Sequence, residues 1–593
     1  WCKNPPAVAV NTGSIEETVV NKILSKGVWI STLALVFVFG MGSVRADIPS
    51  ETYEALGISK SASPKELYEK LTERYRDPAQ GAGKGSHAQY WEPIAMSAYL
   101  DPMSFYTPPT SVKEVSSREE CVACHTDETP GHVVAWKKST HSNLGAIRNL
   151  SPADSRYYKL KKLETVETNL QSLGLLEEGK QLSDVSCMDC HVGVRQTAKA
   201  DHTKDIIMPT ADVCGTCHLQ EFAERESERD TMNWPQGQWP NGRPSHALDY
   251  KANVETAIWA GMEEREIAEG CTACHISQNK CDTCHTRHQF SAAEARKPEA
   301  CANCHNGVDH NEFENYMVSK HGAVYQTMGD QWDWEVELKE AITKGGQTAP
   351  TCAYCHMENE GKFGHNVVRK VRWAFNPTPA IADNLDHEWF TSRQEAWVTT
   401  CTACHSESFA RAMLSQVDNG IKQGLVYEQA AKKVVTDLYD EGLLVGQKTN
   451  RPLPPAPEAD APGGFYGLFW AKGNNPTAIE RVYTEMWEHD LIKLYKGLAH
   501  FNPGNYTYSN GWAKLMGDYA EIMDMDTTIR ETVDLKKRVA ALEAQKQSSL
   551  FIPDTNLKKA SLGGLGSGML LLGILLAGYH RRRKRNLSIS TES

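Results

Sequence analysis

The sequence predicts a mainly α-helical protein with little strand, in which a central region is packed around bound groups and long helices follow. Eight copies of the pattern Cys-x-x-Cys-His occur between residues 121 and 405, where the hydrophobic periodicity is poor. After residue 406, apolar residues recur at three- and four-residue spacing over 407–445, 476–500 and 517–546, which indicates three long helices. Residues 502–512, rich in Asn, Gly and aromatic side chains, predict a surface loop between the last two.

These patterns divide the chain into five regions. An upstream extension and signal peptide span 1–46, an N-terminal region spans 47–120, the Cys-x-x-Cys-His region spans 121–410, a helical region spans 411–550, and a Gly-rich, apolar and basic tail spans 551–593. The net charge is −12 and no basic stripe precedes the cluster at 581–585, which argues against a nucleic-acid partner. An acidic surface suits a positively charged redox partner.

Both ends of the chain carry targeting patterns. Lys22 and Lys26 precede an apolar run at 28–39, and residues 44–46 resemble a cleavage site, so we expect export to the periplasm; a membrane anchor is the alternative. At the other end, the apolar run 569–577 follows a Gly-rich stretch and precedes the basic cluster. That pattern fits either a retained membrane span or a sorting signal that is removed.

The last predicted helix carries an apolar stripe. Leu535, Val539 and Leu542 lie at heptad spacing with charges around them. Such a stripe is typical of a short oligomer seam, and packing on the protein's own core is the alternative.

The cysteines define the chemistry of the central region. Of the 17 cysteines, Cys2 lies in the extension and the other sixteen all fall in the eight Cys-x-x-Cys-His motifs. Two thiols at this spacing form thioethers to one haem, and the adjacent histidine becomes the proximal ligand of its iron. Zinc or a disulfide explains one such motif but not eight in an exported chain.

The motifs therefore predict eight haem c groups. The attachment cysteines are Cys121, Cys124, Cys187, Cys190, Cys214, Cys217, Cys271, Cys274, Cys281, Cys284, Cys301, Cys304, Cys352, Cys355, Cys401 and Cys404. The proximal ligands are His125, His191, His218, His275, His285, His305, His356 and His405. Twelve further histidines outside the basic tail can supply second ligands, so counting alone leaves open whether any haem has a vacant position.

The chain resembles the hydroxylamine oxidoreductase family, octahaem c-type enzymes of ammonia-oxidising bacteria. The resemblance runs from about residue 50 to 580 and includes all eight motifs in order, the stretches 208–212, 221–232 and 243–250, and the Gly-rich tail. It implies a homotrimer that oxidises hydroxylamine to nitric oxide or nitrite and passes the electrons to a periplasmic cytochrome c.

The resemblance also implies an active site at the haem of the fourth motif, on Cys271 and Cys274 with His275 as its proximal ligand. That haem is five-coordinate in the family and is crosslinked to a tyrosine of the neighbouring subunit, matched here by Tyr508, with Tyr506 the weaker candidate. An Asp-His pair beside the iron is matched by Asp309 and His310, which are suited to act as general bases.

Seven further histidines match family histidines, as many as seven bis-His haems require. They are His141, His202, His246, His288, His321, His365 and His500. His87, His132, His387 and His489 do not fit the family pattern, and we expect them to be ordinary residues. The sequence does not assign a distal histidine to a particular haem.

Three alternatives stay open. A relative that oxidises hydrazine keeps the crosslink, whereas a relative that reduces nitrite is expected to lack the tyrosine. A non-catalytic electron conduit, with every haem six-coordinate, is the third.

Overall fold

The computed structural model describes residues 48–76, 114–195, 200–202, 204–231, 246, 280–307, 310–373, 377–444, 477–502 and 504–550. In these ranges the chain is mainly helical, and the predicted fold class is confirmed. The predicted signal peptide and the C-terminal tail lie outside the described residues. No described helix is long and apolar enough to cross a membrane.

Most helices that begin before residue 300 are short. In chain order, the described helices of this part are α1 (Ser50–Ala55), α2 (Pro64–Arg76), α3 (Arg118–Glu128), α4 (Pro130–Lys138), α5 (Leu144–Arg148), α6 (Tyr158–Ser172), α7 (Cys187–His191), α8 (Ala211–Cys217), α9 (Leu219–Glu226), α10 (Glu228–Thr231), α11 (Ala292–Ala295) and α12 (Glu299–Ala302). Single 3₁₀ turns occur at Thr140–Ser142 and Cys281–Thr283.

The helices that follow include the two longest of the described chain. In chain order, the described helices of this second part are α13 (Glu312–Met317), α14 (Lys320–Met328), α15 (Cys352–Met357), α16 (Pro379–Ala382), α17 (Glu388–Thr402), α18 (Glu407–Asp440), α19 (Ala478–Thr484), α20 (Leu491–Ala499) and α21 (Ala513–Leu550). Short 3₁₀ turns lie at Gly329–Gln331 and Leu338–Glu340, and π-helical segments at Glu485–Asp490 and Asn505–Trp512.

The described strands form two small antiparallel ribbons. Strand β1 (Glu114–Val115) pairs with β2 (Ala200–Asp201), and β3 (Glu358–Asn359) pairs with β4 (Lys362–Phe363). The first ribbon joins the start of the motif region to the segment after the second motif.

The largest apolar core of the described chain lies in the C-terminal bundle of α18, α19, α20 and α21, with Ile421, Val435 and Leu491 fully buried. A Cβ on Gly420 would lie 2.6 Å from a methyl carbon of Leu498, so α18 and α20 approach closely at this glycine. In the motif region the apolar clusters are smaller, as expected where side chains pack against cofactors.

Helix α21 extends beyond this bundle. Leu515 and Ile522, near its start, are fully buried, whereas Leu535, Val539 and Leu542 are 60%, 53% and 65% exposed. The stripe therefore does not pack on the described core of its own chain, and that alternative is wrong because the helix has left the bundle by this point.

The prediction of a surface loop at 502–512 is also wrong for most of its length. Residues Asn505–Trp512 form a π-helical segment that runs directly into α21. The N–H of Ser509 donates to the carbonyl oxygen of Gly504 at 3.2 Å, the wider hydrogen bond of a π turn. Composition missed it because Gly and Asn are poor helix formers, while packing against α20 stabilises the segment.

Candidate functional site

Seven of the eight Cys-x-x-Cys-His motifs lie in the described residues, on short helices or helical turns. In α7 the chain begins the helix with a capping box: the hydroxyl and backbone N–H of Ser186 both donate to Asp189, at 2.8 and 2.7 Å. This cap starts the helix at Cys187, so Cys190 follows three residues later on the same face. This is the spacing of the two thiols that attachment to one haem requires.

The described cysteines do not behave as structural cysteines. None of the fourteen is in a disulfide bond. Within the described ranges, no three His, Cys, Asp or Glu side chains converge as they do around a zinc ion. In the described residues the motif histidines instead lie opposite other histidines in pairs.

Each of the seven described motif histidines faces one of the seven other histidines singled out above. The pairs and their ring-centroid distances are His125 and His202 (6.3 Å), His191 and His288 (6.3 Å), His218 and His141 (6.1 Å), His285 and His365 (6.5 Å), His305 and His246 (6.1 Å), His356 and His500 (6.5 Å), and His405 and His321 (6.2 Å).

These separations fit one iron between two rings. A histidine nitrogen binds a metal at about 2.0–2.1 Å, so two axial imidazoles on one metal have centroids about 6 Å apart. In all seven described pairs the ring centroids are separated by about this distance. The residues present therefore fit haem iron with two axial histidines.

A strained turn brings His288 to its partner. His288 and Phe290 both have left-handed backbone conformations, with φ of 67° and 49°. Such conformations are uncommon outside glycine and persist where the surroundings hold them, often at functional sites. The chain reverses here after His285, and the His288 ring reaches the histidine of a different motif, His191.

Hydrogen bonds at Nδ1 orient several of these rings. His125 is 2.8 Å from the hydroxyl of Thr129, His191 donates to the carbonyl oxygen of Ile207 at 2.9 Å, and His500 donates to that of Lys496 at 2.8 Å. A ring held at Nδ1 presents its Nε2 atom to a metal.

Burial keeps most of these rings neutral, which metal ligation requires. Burial, and then the neighbouring His218, lower the pKa of His141 to about 4. Burial, followed by the nearby His500, lowers the pKa of His356 to about 3. At neutral pH both rings are therefore neutral, and each has one unprotonated nitrogen that can bind a metal.

Neighbouring motifs are linked through their first cysteines. The thiol of Cys121 contacts that of Cys187, and Cys214 contacts Cys281 in the same way. The thiols of Cys301 and Cys352 form a third such contact. Because each thiol marks the edge of an attached group, these contacts set the groups of the first and second, third and fifth, and sixth and seventh motifs side by side.

The predicted active site is described only in part. Cys271, Cys274, His275 and Asp309 lie outside the described residues. His310 forms a tight turn with Gly307, whose backbone N–H donates to the His310 carbonyl oxygen at 3.3 Å, and none of the seven ring pairs uses His310. Tyr508 lies on the π-helical segment and is 62% exposed.

Sequence reasoning missed residues around the paired rings. His132, expected to be ordinary, stacks on His288 with centroids 4.4 Å apart. Three carboxylates, Glu224, Glu228 and Glu312, approach the Nδ1 atoms of paired histidines. No pattern in the sequence distinguishes these carboxylates from surface ones, although two of them lie in the stretch 221–232 noted above.

Comparison with known proteins agrees with this geometry. A profile of the family described as "Seven times multi-haem cytochrome CxxCH" matches residues 183–452. A probable nitrite reductase–hydroxylamine oxidoreductase fusion protein of Kuenenia stuttgartiensis is 30% identical over 516 residues, which cover 76% of this chain and 56% of that protein. The chain thus spans little more than half the length of this relative.

A solved structure is also similar. It is a chain of the reducing HAO-like protein complex of Kuenenia stuttgartiensis, 28% identical, with a TM-score of 0.63; the match covers 81% of this chain and all of that one.

The motifs, the fold and these similarities point to one class: residues 183–452 match a multihaem c-type cytochrome family, whose Cys-x-x-Cys-His motifs imply covalently bound haem c. The chain is related to the HAO-like proteins and to the nitrite reductase–hydroxylamine oxidoreductase fusion proteins. These similarities indicate a protein of redox electron transfer.

Proposed function

We propose that this cytochrome carries eight haems and oxidises hydroxylamine at the one attached to Cys271 and Cys274. The observation that supports this most is the set of seven ring pairs. They use every described motif histidine and exactly the seven other histidines that the resemblance marks as distal ligands. His310 belongs to none of these pairs, and the resemblance matches it to the Asp-His pair that the family has beside its catalytic haem.

The seven pairs give this protein a route for electrons. We propose that each pair binds one low-spin haem iron, with the assignments given by the ring distances above. Two axial histidines exclude substrate and water from an iron, so these seven sites exchange electrons without exposing reactive positions. The contacts between first cysteines would bring these haems together in three neighbouring pairs, and we propose that the electrons leave to an external cytochrome c in the periplasm.

At the eighth site the chain supplies two general bases, Asp309 and His310. A c-type haem held there by Cys271, Cys274 and His275 would supply an iron able to accept the electrons of the substrate. Each electron removed makes the substrate N–H and O–H groups more acidic, and Asp309 and His310 accept the protons. General bases of this kind contribute about 10²–10⁴-fold to the rate.

Tyr508 is proposed to reach the active-site haem of a neighbouring subunit in a homotrimer. Its side chain is exposed on its own chain, which leaves it available to a second copy. The stripe of Leu535, Val539 and Leu542, which begins roughly 40 Å further along the same helical stretch, is exposed as well and provides a second, apolar surface for a neighbouring copy.

A second candidate function is reduction rather than oxidation. The similar solved structure belongs to a complex described as reducing, and the curated relative's description includes a nitrite reductase. In this reading the same seven pairs deliver electrons to the eighth haem, which reduces nitrite. Tyr508 argues against it, since relatives that work in the reducing direction are expected to lack the crosslinking tyrosine.

One experiment separates these functions. The purified, fully haem-loaded ferric protein is mixed with hydroxylamine or with hydrazine, and the pre-reduced protein with nitrite, while the haem α-band is followed and products are analysed. We expect hydroxylamine to reduce the haems with formation of nitric oxide or nitrite. Faster reduction by hydrazine, or reoxidation by nitrite without turnover of hydroxylamine, would replace the proposal with the corresponding alternative.

Variants locate the reaction. His310→Gln is expected to slow reduction by hydroxylamine about 10²–10⁴-fold while all haems stay attached. His489→Gln is the matched control, since His489 hydrogen-bonds Glu485 at 2.9 Å on the outer face of its helix. Equal rates in the two variants would remove His310 from the mechanism.

A further inference from the structure

The paired histidines differ in which polar group lies at Nδ1. In the described part of the chain, three of these rings have a carboxylate there: His246, His305 and His365. His191 and His500 have backbone carbonyl oxygens instead, and His125 has a hydroxyl. The charge of the group at Nδ1 therefore differs from one histidine pair to the next.

The pair of His246 and His305 has a carboxylate on both rings. Glu228 Oε2 lies 3.2 Å from Nδ1 of His246 and also accepts the backbone N–H of that residue at 2.7 Å. On the other ring, Glu312 Oε2 lies 3.3 Å from Nδ1 of His305, an ion-pair contact that lacks hydrogen-bond geometry. Glu228 is fully buried, and the Oε2 atom of Glu312 is buried as well.

Both carboxylates are fixed by their second oxygen. Glu228 Oε1 accepts the backbone N–H of Val367 at 2.9 Å. Glu312 Oε1 forms an ion pair with the ammonium of Lys496, which is itself buried. Each Oε2 atom is thereby aimed at the imidazole.

The pair of His285 and His365 is an internal comparison. Only its distal ring meets a carboxylate: Glu224 Oε2 lies 3.3 Å from Nδ1 of His365 and accepts its backbone N–H at 2.8 Å. Glu224 and Glu228 are four residues apart, so one helical stretch, α9 and α10, serves two neighbouring iron sites.

A carboxylate at Nδ1 of an axial histidine lowers the reduction potential of the bound iron. It draws the Nδ1 proton toward itself, which makes the ring a stronger electron donor through Nε2. A stronger donor stabilises ferric over ferrous iron, so the reduction potential falls. The low dielectric of a buried site makes this charge-assisted hydrogen bond stronger than one to a carbonyl.

We propose that Glu228 and Glu312 give the haem on Cys301 and Cys304 the lowest reduction potential among the haems of the seven described pairs. Glu224 lowers the potential of the haem on Cys281 and Cys284 to a smaller extent. The three carboxylates are positioning residues that act through the ligands. The proposal rests on the axial ligation proposed above, and its test separates the two.

The test is a potentiometric titration of the haem-loaded protein, with each ferric low-spin haem followed by electron paramagnetic resonance. Glu228→Gln and Glu312→Gln should each raise the potential of the same haem, by about tenfold in its reduction equilibrium, which is 59 mV for one electron. Glu224→Gln should raise a different one. Asp230→Asn is the matched control, because Asp230 is a carboxylate on α10 that pairs with Arg74 at 2.7 Å.

The outcomes are distinct. If the low-spin signals of seven haems are missing from the unmodified protein, the ligation itself is wrong. If they are present but Glu228→Gln and Glu312→Gln move different signals or none, the carboxylate proposal falls and the ligation stands. Should Glu312→Gln alone fail to fold, Glu312→Gln with Lys496→Met removes both buried charges and must give the same shift.

Discussion

The imidazole of His141 lies 6.1 Å from that of His218, with the two ring planes inclined at 68°. The ring of Phe290 stands 5.6 Å from His141 and helps to hold it in that position. His141 is the only partner that the ring contacts give His218 in the described residues, so one substitution should open this site.

His141→Ala is therefore expected to leave the haem on Cys214 and Cys217 attached but five-coordinate. Reduced protein should bind one more carbon monoxide per chain than the unmodified protein, with one fewer low-spin haem. The measurement is carbon monoxide titration followed optically. His489→Ala, on the outer helix face, is the control, and an unchanged stoichiometry for His141→Ala would refute the assignment.

The proposed crosslink gives a prediction about subunits. Tyr508→Phe should keep eight haems attached but yield separable monomers on denaturing electrophoresis, where the unmodified protein runs as linked subunits. Tyr506→Phe is the matched control and should still run as linked subunits. A Tyr508→Phe protein that still migrates as a covalent oligomer contradicts the assignment of this tyrosine.

A buried ion pair near the seventh and eighth motifs gives a stability prediction. Lys370 is 1% exposed, pairs with Glu358 at 2.7 Å and lies 4.5 Å above the ring of Trp397. Lys370→Met strands the buried carboxylate of Glu358, which is expected to reduce stability by roughly 3–5 kcal/mol. Thermal unfolding followed by circular dichroism measures the loss.

The double variant supplies the control. Lys370→Met with Glu358→Met removes both charges and should recover most of the lost stability, since an apolar pair of similar size is tolerated at such sites. If the double variant is no more stable than Lys370→Met, the ion pair is not the cause.

A carboxyl group in the C-terminal bundle gives a pH dependence. Burial, and then a hydrogen bond and charge repulsion from Asp490, raise the pKa of Asp518 to about 8. In the unfolded chain its pKa is about 3.9. Between these values the folded state holds a proton that the unfolded state has lost, so this group's contribution to stability falls as pH rises from about 4 to about 8.

Asp518→Asn removes that dependence. We expect the variant to have the higher apparent melting temperature at pH 9, by about 2 °C given the partial exposure of this group, and to match the unmodified protein near pH 4. A difference that is constant across this pH range would mean that Asp518 does not titrate between the two values.

Much of the fold follows from the sequence, because helix signals are local. Ser406 caps α18 by accepting the backbone N–H of Phe409 at 3.3 Å, and the predicted helix at 407–445 is observed at Glu407–Asp440. The segment 505–512 was not predictable, because its π turns depend on packing against α20 rather than on residue preferences.

The candidate site, like the fold, is predictable from the sequence only in part. The proximal histidines can be predicted from the motif, since ligand and attachment cysteines are adjacent in sequence. The pairing of His246 with His305 is a tertiary contact, and nothing local encodes it. The carboxylates are harder still, because Glu228 and Glu312 differ from surface glutamates only in where the folded chain places them.

The ring pairs also bear on how the protein is assembled. In each pair one ring belongs to the segment that carries the covalent attachment, while its partner comes from elsewhere in the chain, as with His125 and His202. An iron held by both rings closes a loop in the chain, and closing a loop reduces the freedom of the unfolded ensemble. A chain without haems would lack all of these closures together, so we expect haem attachment and folding to be coupled, and a defect in attachment to appear as proteolysis rather than as an inactive folded protein.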